Sequence, residues 1–146
     1  MDNLIKYAWE LLARTHRYQF GGTNPIIGFD CSGFVQELLL ACGEISFGTP
    51  KQSAQMLYNR FESEGNRSYG AGALAFYGTN ASKIDHVGFC LDTYSMLEAG
   101  GGTASTVSDA DAIAHNAFVK MRPIKYRKDF LCVIKPKYVG IGMMNP

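Results

Sequence analysis

Phe29-Asp30-Cys31-Ser32-Gly33-Phe34 marks the border between a glycine-rich loop and a helix in this 146-residue chain. Upstream, Gly21-Gly22, Asn24-Pro25 and Gly28 are turn formers. Downstream, Phe34, Val35, Leu38, Leu39 and Cys42 recur on one helical face. The border predicts a helix beginning at Cys31 with Asp30 as its N-cap. A cysteine there lies among unpaired N–H groups at the positive end of the helix dipole, and both favour a thiolate.

Further out, Leu4, Tyr7, Ala8, Leu11 and Leu12 predict a first helix over about Asn3 to Arg14. Thr49, Pro50 and Gln52 match an N-cap, a first-turn proline and the N3 position of a capping box, which predicts a third helix from near Thr49 to about Phe61. Beyond Gly70 the texture changes. Ala73–Tyr77, His86–Leu91, Tyr94–Ala99 and Phe130–Lys135 read as strands, and Ser108–Asn116 as a short helix. Helices followed by strands imply an α+β fold with an antiparallel sheet. With no internal repeat or linker, residues 1–146 read as a single domain.

A cysteine nucleophile needs a base, and the base needs an orienting partner. Of the three histidines, His16 and His115 sit in polar surroundings, whereas His86 opens an apolar strand. A hairpin centred on Asp92 would set Cys90 opposite Tyr94 and His86 opposite Glu98. Glu98 could then accept from the imidazole and fix its tautomer. A slip of one residue would turn Glu98 to the other face.

The composition narrows the function classes. Fourteen basic and 13 acidic residues leave a formal charge of +1, which gives no global case for nucleic-acid binding. Seven of the basic residues nevertheless fall between Lys120 and Lys137, beside one acid, Asp129. That segment reads either as a solvated edge strand and turn or as a patch for an anionic polymer. The four cysteines include no Cys-x-x-Cys pair, so no zinc site is expected, and Cys42, Cys90 and Cys132 read as buried hydrophobes. No apolar run reaches the length of a membrane span. The first residues lack the pattern of a secretory leader, which is expected of a chain retained in a cell, of one exported by a route not written in the sequence, or of a mature form whose leader has been removed.

Tyr18-Gln19-Phe20-Gly21-Gly22 followed by Gly28-Phe29-Asp30-Cys31-Ser32-Gly33-Phe34 resembles the Tyr-x-x-Gly-Gly…Asp-Cys-Ser-Gly signature of the NlpC/P60 cysteine peptidases. Gln52-Ser53-Ala54-Gln55, Gly72-Ala73-Leu74-Ala75-Phe76 and His86-Val87-Gly88-Phe89 are similar to that family's later segments. The resemblance implies a circularly permuted papain-like fold and hydrolysis of stem-peptide bonds in peptidoglycan, often beside γ-D-glutamate and a diamino acid. It makes Cys31 the nucleophile, His86 the base and Tyr18 a hydroxyl able to help hold an oxyanion. Backbone groups at Cys31 and Ser32 would complete that hole, with Asp30 and the Gly21-Gly22 turn beside it. No metal or organic cofactor is implied.

Two positions depart from the family pattern. Glu98 stands where a histidine is usual, and Ala73 where an aspartate is usual. Leu97-Glu98-Ala99-Gly100-Gly101 and the basic segment look most like phage-type members, which would be released by a holin or carried on a virion tail. The same Cys–His pair would also serve a muramoyl-alanine amidase or an acyltransferase. A silent wall-binding or virion-assembly module is the reading from another class.

Overall fold

Cys31 is the first residue of a helix that runs through the middle of the molecule. The computed structural model describes residues 1–14 and 16–138. In chain order the elements are α1 (Asp2–Ala13), β1 (Thr23–Asn24), β2 (Gly28–Phe29), α2 (Cys31–Ala41), α3 (Ala54–Glu62), β3 (Leu74–Asn80), β4 (Lys83–Cys90), β5 (Ser95–Gly100), α4 (Asp109–Ala114), β6 (Phe118–Pro123) and β7 (Phe130–Ile134). The α+β reading holds: β1 and β2 form a small ribbon, and the main sheet is antiparallel in the order β6-β5-β4-β3-β7.

The helix α2 is buried on nearly every side from Cys31 to Leu39, so its sequence is apolar almost all round. It packs on β4 and β5, with α1 and α3 beside it. Phe34, Leu38, Phe76, Val87, Phe89, Leu97 and Ala99 share this core. Each large side chain fully buried there contributes about 1.5–3 kcal/mol. The other face of the sheet carries a smaller cluster that includes Tyr77, Cys90, Met96, Ile124 and Val133. Strand alternation puts His86 and Glu98 on this second face, away from Val87 and Leu97.

Two expectations are corrected. The third helix starts at Ala54, with the Ser53 hydroxyl accepting from Met56 N at 3.1 Å. Thr49 instead donates to the Ser46 carbonyl at 2.7 Å, and Gln36 of α2 ties down Thr49, Pro50 and Gln52 through its amide. Tertiary hydrogen bonds thus hold residues 49–52 out of the helix despite their capping pattern. The hairpin pairs Phe89 with Leu97 and Cys90 with Met96, so it is centred on Thr93 rather than Asp92. The Asp92 carboxylate accepts from the backbone N–H of Tyr94 and Ser95, at 2.7 and 2.6 Å, and builds that turn. The slip is two residues, which preserves which face each side chain points to. Glu98 is therefore a diagonal neighbour of His86, and extending the register places Gly100 opposite it.

The strand β6 lies at one edge of the sheet and β7 at the other. Residues 124–129 join them, folded into two turns closed by Tyr126 N to Pro123 O and Phe130 N to Arg127 O. A flat five-stranded sheet would hold its edges about 19 Å apart. Two turns in so short a connection reach less than that. The sheet therefore curls, and the connection roofs its second face.

Candidate active site

The Asp30 carboxylate caps α2 by accepting from Gly33 N at 2.7 Å, as its N-cap position requires. Its other oxygen accepts from Gly21 N at 2.9 Å, so the Gly21-Gly22 turn braces the start of the helix. Gly33 and Gly22 meet so closely that a Cβ on Gly33 would strike the Gly22 carbonyl. Ser32 donates to Asp30 at 3.3 Å and accepts from Lys51 Nζ at 2.5 Å, an arrangement that makes it part of the helix start. The Lys51 ammonium also meets Asp30 at 2.9 Å and the Gln52 carbonyl at 2.8 Å.

Cys31 is buried, with its thiol 3.9 Å from the carbonyl of Asp85, and the next residue, His86, brings its imidazole within interaction range of that thiol. On its other side His86 Nε2 is bonded to Glu98 Oε2, which leaves Nδ1 for the sulfur. His86 and Glu98 are 7% and 1% exposed, so this pairing takes place almost without water. Burial alone would push the imidazole down. The bonds to Cys31 and Glu98 oppose it and prevail, raising His86 from 6.5 to about 9. Burial likewise favours the neutral acid at Glu98, but the bond and charge of His86, the Tyr126 hydroxyl and Arg122 outweigh it and lower its pKa. The arrangement thus favours the charged form of the imidazole beside the ionised carboxylate.

Tyr18 is buried beside this group, its ring against Gly102, and burial followed by the charges of Cys31 and Asp30 raises its pKa. Its hydroxyl therefore remains a donor. Of the residues expected from sequence, Asp30, Cys31, Ser32, Gly21 and Gly22 gather at the start of α2, and His86 and Glu98 meet them from the sheet. His16 packs edge-on against Phe29 and His115 caps the end of α4. The expectation that three cysteines are buried hydrophobes holds for Cys90, while Cys42 and Cys132 are only partly covered.

Three residues beside the site escape a reading by sequence. Lys51 lies just ahead of the third helix, in the stretch read as its first turn. Tyr126 and Arg122 sit inside the basic segment. Tyr126 donates to both Glu98 oxygens, at 2.8 and 3.0 Å, and Arg122 Nε lies 3.8 Å from Oε1. Pairing the edge strand read in this segment with β5 would have exposed Arg122, because it stands opposite Met96, two residues before Glu98. Much of that segment's charge is engaged within the chain: Lys120 donates to the Asn116 carbonyl and Arg127 pairs with Asp85 and Asp129.

Helices leading into a curled antiparallel sheet that delivers an imidazole to a helix-borne thiol make this a papain-like domain in permuted chain order. The chain belongs to the NlpC/P60 family, whose model matches residues 15–123. Solved structures share the fold. An NLP/P60-family protein similar to a lipoprotein, from Staphylococcus aureus, superposes with a TM-score of 0.63 at 20% identity, over 92% of this chain and 42% of that one. The NlpC/p60 domain of the peptidoglycan hydrolase SagA gives 0.58 at 19% identity, over 91% and 97%. The peptidoglycan hydrolase RipB of Mycobacterium tuberculosis gives 0.57 at 21% identity, over 92% and 64%. The chain thus spans about two fifths of the staphylococcal protein's length. The search of curated proteins finds no match.

Proposed function

We propose that the protein is a cysteine peptidase that cleaves stem-peptide bonds of peptidoglycan, with Cys31 as nucleophile, His86 as general acid–base and Glu98 as the residue that orients the imidazole. The observation that carries this reading is the buried imidazole that is hydrogen-bonded to the Glu98 carboxylate and lies within interaction range of the Cys31 thiol at the start of α2. Membership of the NlpC/P60 family supports the wall substrate.

The thiolate attacks the scissile carbonyl and forms a tetrahedral oxyanion. First-turn N–H groups of α2 at Cys31 and Ser32, with the Tyr18 hydroxyl, face the developing charge. One such donor is worth about 3–4 kcal/mol in a transition state. His86 gives its proton to the leaving amine, which leaves a thioester on Cys31. It then takes a proton from the water that hydrolyses this thioester. Glu98 stays ionised throughout and balances the imidazolium.

The test is mass spectrometry of soluble fragments from purified peptidoglycans of several chemotypes. Wild type is expected to release a defined peptide, with Cys31→Ala inactive and Glu98→Ala slowed by about 10²–10⁴-fold. Release of free glycan chains with intact stems would reassign the cut to the muramoyl-alanine amide. No release from any wall by folded protein would defeat the reading.

A further inference from the structure

The Glu98 carboxylate is buried on the second face of the sheet, and more than His86 meets it there. Directly across the β5–β6 pairing stands Lys120, whose ammonium turns away to the Asn116 carbonyl at 2.6 Å. Arg122, one step along the same face, keeps its guanidinium on Glu98, with Nε at 3.8 Å. That Nε is buried and, among the described residues, has no hydrogen-bond partner. The guanidinium carbon also lies 5.3 Å from the centre of the Tyr126 ring. Tyr126, in the roofing connection, donates its hydroxyl to both carboxylate oxygens. Tyr77 of β3 completes the surround, its ring 5.4 Å from the imidazole and its hydroxyl on the Ile124 carbonyl at 2.6 Å. Around His86 the remaining charged or titratable groups are Cys31 and Asp129, with Arg127 stacked on Tyr77.

Resting on the function proposed above, we propose that Tyr126 and Arg122 are positioning residues of the site: the tyrosine fixes the Glu98 carboxylate against His86, and the arginine balances its buried charge. A buried carboxylate without donors and counter-charge takes up a proton. In this site the nearest proton is on the imidazole, and its transfer to Glu98 would remove the cation that supports the Cys31 thiolate. Tyr126 is suited to the task because burial and the adjacent carboxylate keep its hydroxyl protonated. Arg122 is suited because a guanidinium stays charged across the working range.

The test measures iodoacetamide alkylation of Cys31 against pH, read on the Cys31 peptide by mass spectrometry, which needs no wall substrate. Tyr126→Phe and Arg122→Met are expected to move the acid limb of the rate upward by about half to one unit, making alkylation about three- to tenfold slower below that limb. Arg122→Lys is expected to recover most of the loss. Tyr126→Phe removes one oxygen only, so it decides the matter if Arg122→Met fails to fold. An unmoved limb, or a uniform slowing at every pH, would overturn the positioning role while leaving the proposed function standing. A wild-type Cys31 that reacts only above about pH 8.5, like a free thiol, would remove the proposed function and this inference together.

Discussion

Gly100 has no side chain, and the Glu98 carboxylate fills the space a side chain would take. A Cβ at this position would lie 2.5 Å from Oε1 and 2.9 Å from Cδ. The carboxylate is the free end of a flexible chain, so it would swing aside before the backbone moved. Gly100→Ala is therefore expected to melt close to wild type yet lose turnover by about a hundredfold, the cost of a displacement near 1 Å in such a site. Peptidoglycan turnover and a thermal melt on the same sample check this. At this scale the sequence was largely legible. Cys31 and Asp30 announce themselves through local chemistry, because a cap and a helix start are decided within a few residues. His86 and Glu98 were found on the correct shared face even though the proposed register was two residues out. Tyr126 was not found, because its role depends on a connection that crosses the sheet, and Arg122 was not, because its place depends on the pairing of β6 with β5.

Among the elements, the start of α3 shows how tertiary bonds displace a local signal. Thr49-Pro50 has the chemistry of a helix start, but the Gln36 amide holds this stretch out of the helix and the cap passes to Ser53. Ser53→Ala is expected to cost about 1 kcal/mol in urea denaturation, and Thr49→Ala clearly less, with turnover unchanged in both. The opposite ranking would mean that the helix begins at Thr49 in solution. The β4–β5 hairpin gives the complementary lesson. Its alternation was readable, but its centre was set by the Asp92 side chain, which accepts from two backbone N–H groups that the strand pattern does not mark. An edge strand was one reading of the basic segment, and β6 is that strand, but the inward role of its charge was not read. Its alternating Lys120 and Arg122 look like solvent-facing charge, whereas they lie along the flank of Glu98.

For the whole molecule, the buried pair ties stability to pH from both sides. His86 is raised from 6.5 to about 9, so its share of the stabilisation is complete below about pH 6.5 and is lost as pH rises through about 9. Glu98 is lowered from 4.5, so its share is complete above that value and is lost as pH falls through the lowered one. Both are fully present only between about pH 4.5 and 6.5. The melting temperature of wild type minus that of Glu98→Gln is expected to be largest in this window and to shrink toward pH 10. A kcal/mol is worth about 2–4 °C in a protein of this size, so differential scanning fluorimetry resolves the trend. A difference that grows with alkalinity would contradict the charge assignment.

The roofing connection, residues 124–129, has an evolutionary corollary. The family model matches residues 15–123, so Glu98 and Arg122 lie within the matched span and Tyr126 lies just beyond it. Position 98 is thus not free to drift by itself. A histidine there, the usual choice in the pattern this chain resembles, would set a second imidazole against the Arg122 guanidinium and leave Tyr126 without its carboxylate. An exchange of carboxylate and imidazole between lineages would then pass through a poorer intermediate unless positions 98, 122 and 126 changed in concert. The positioning role proposed for Tyr126 and Arg122 thus carries an expectation for related chains: positions 98, 122 and 126 change together.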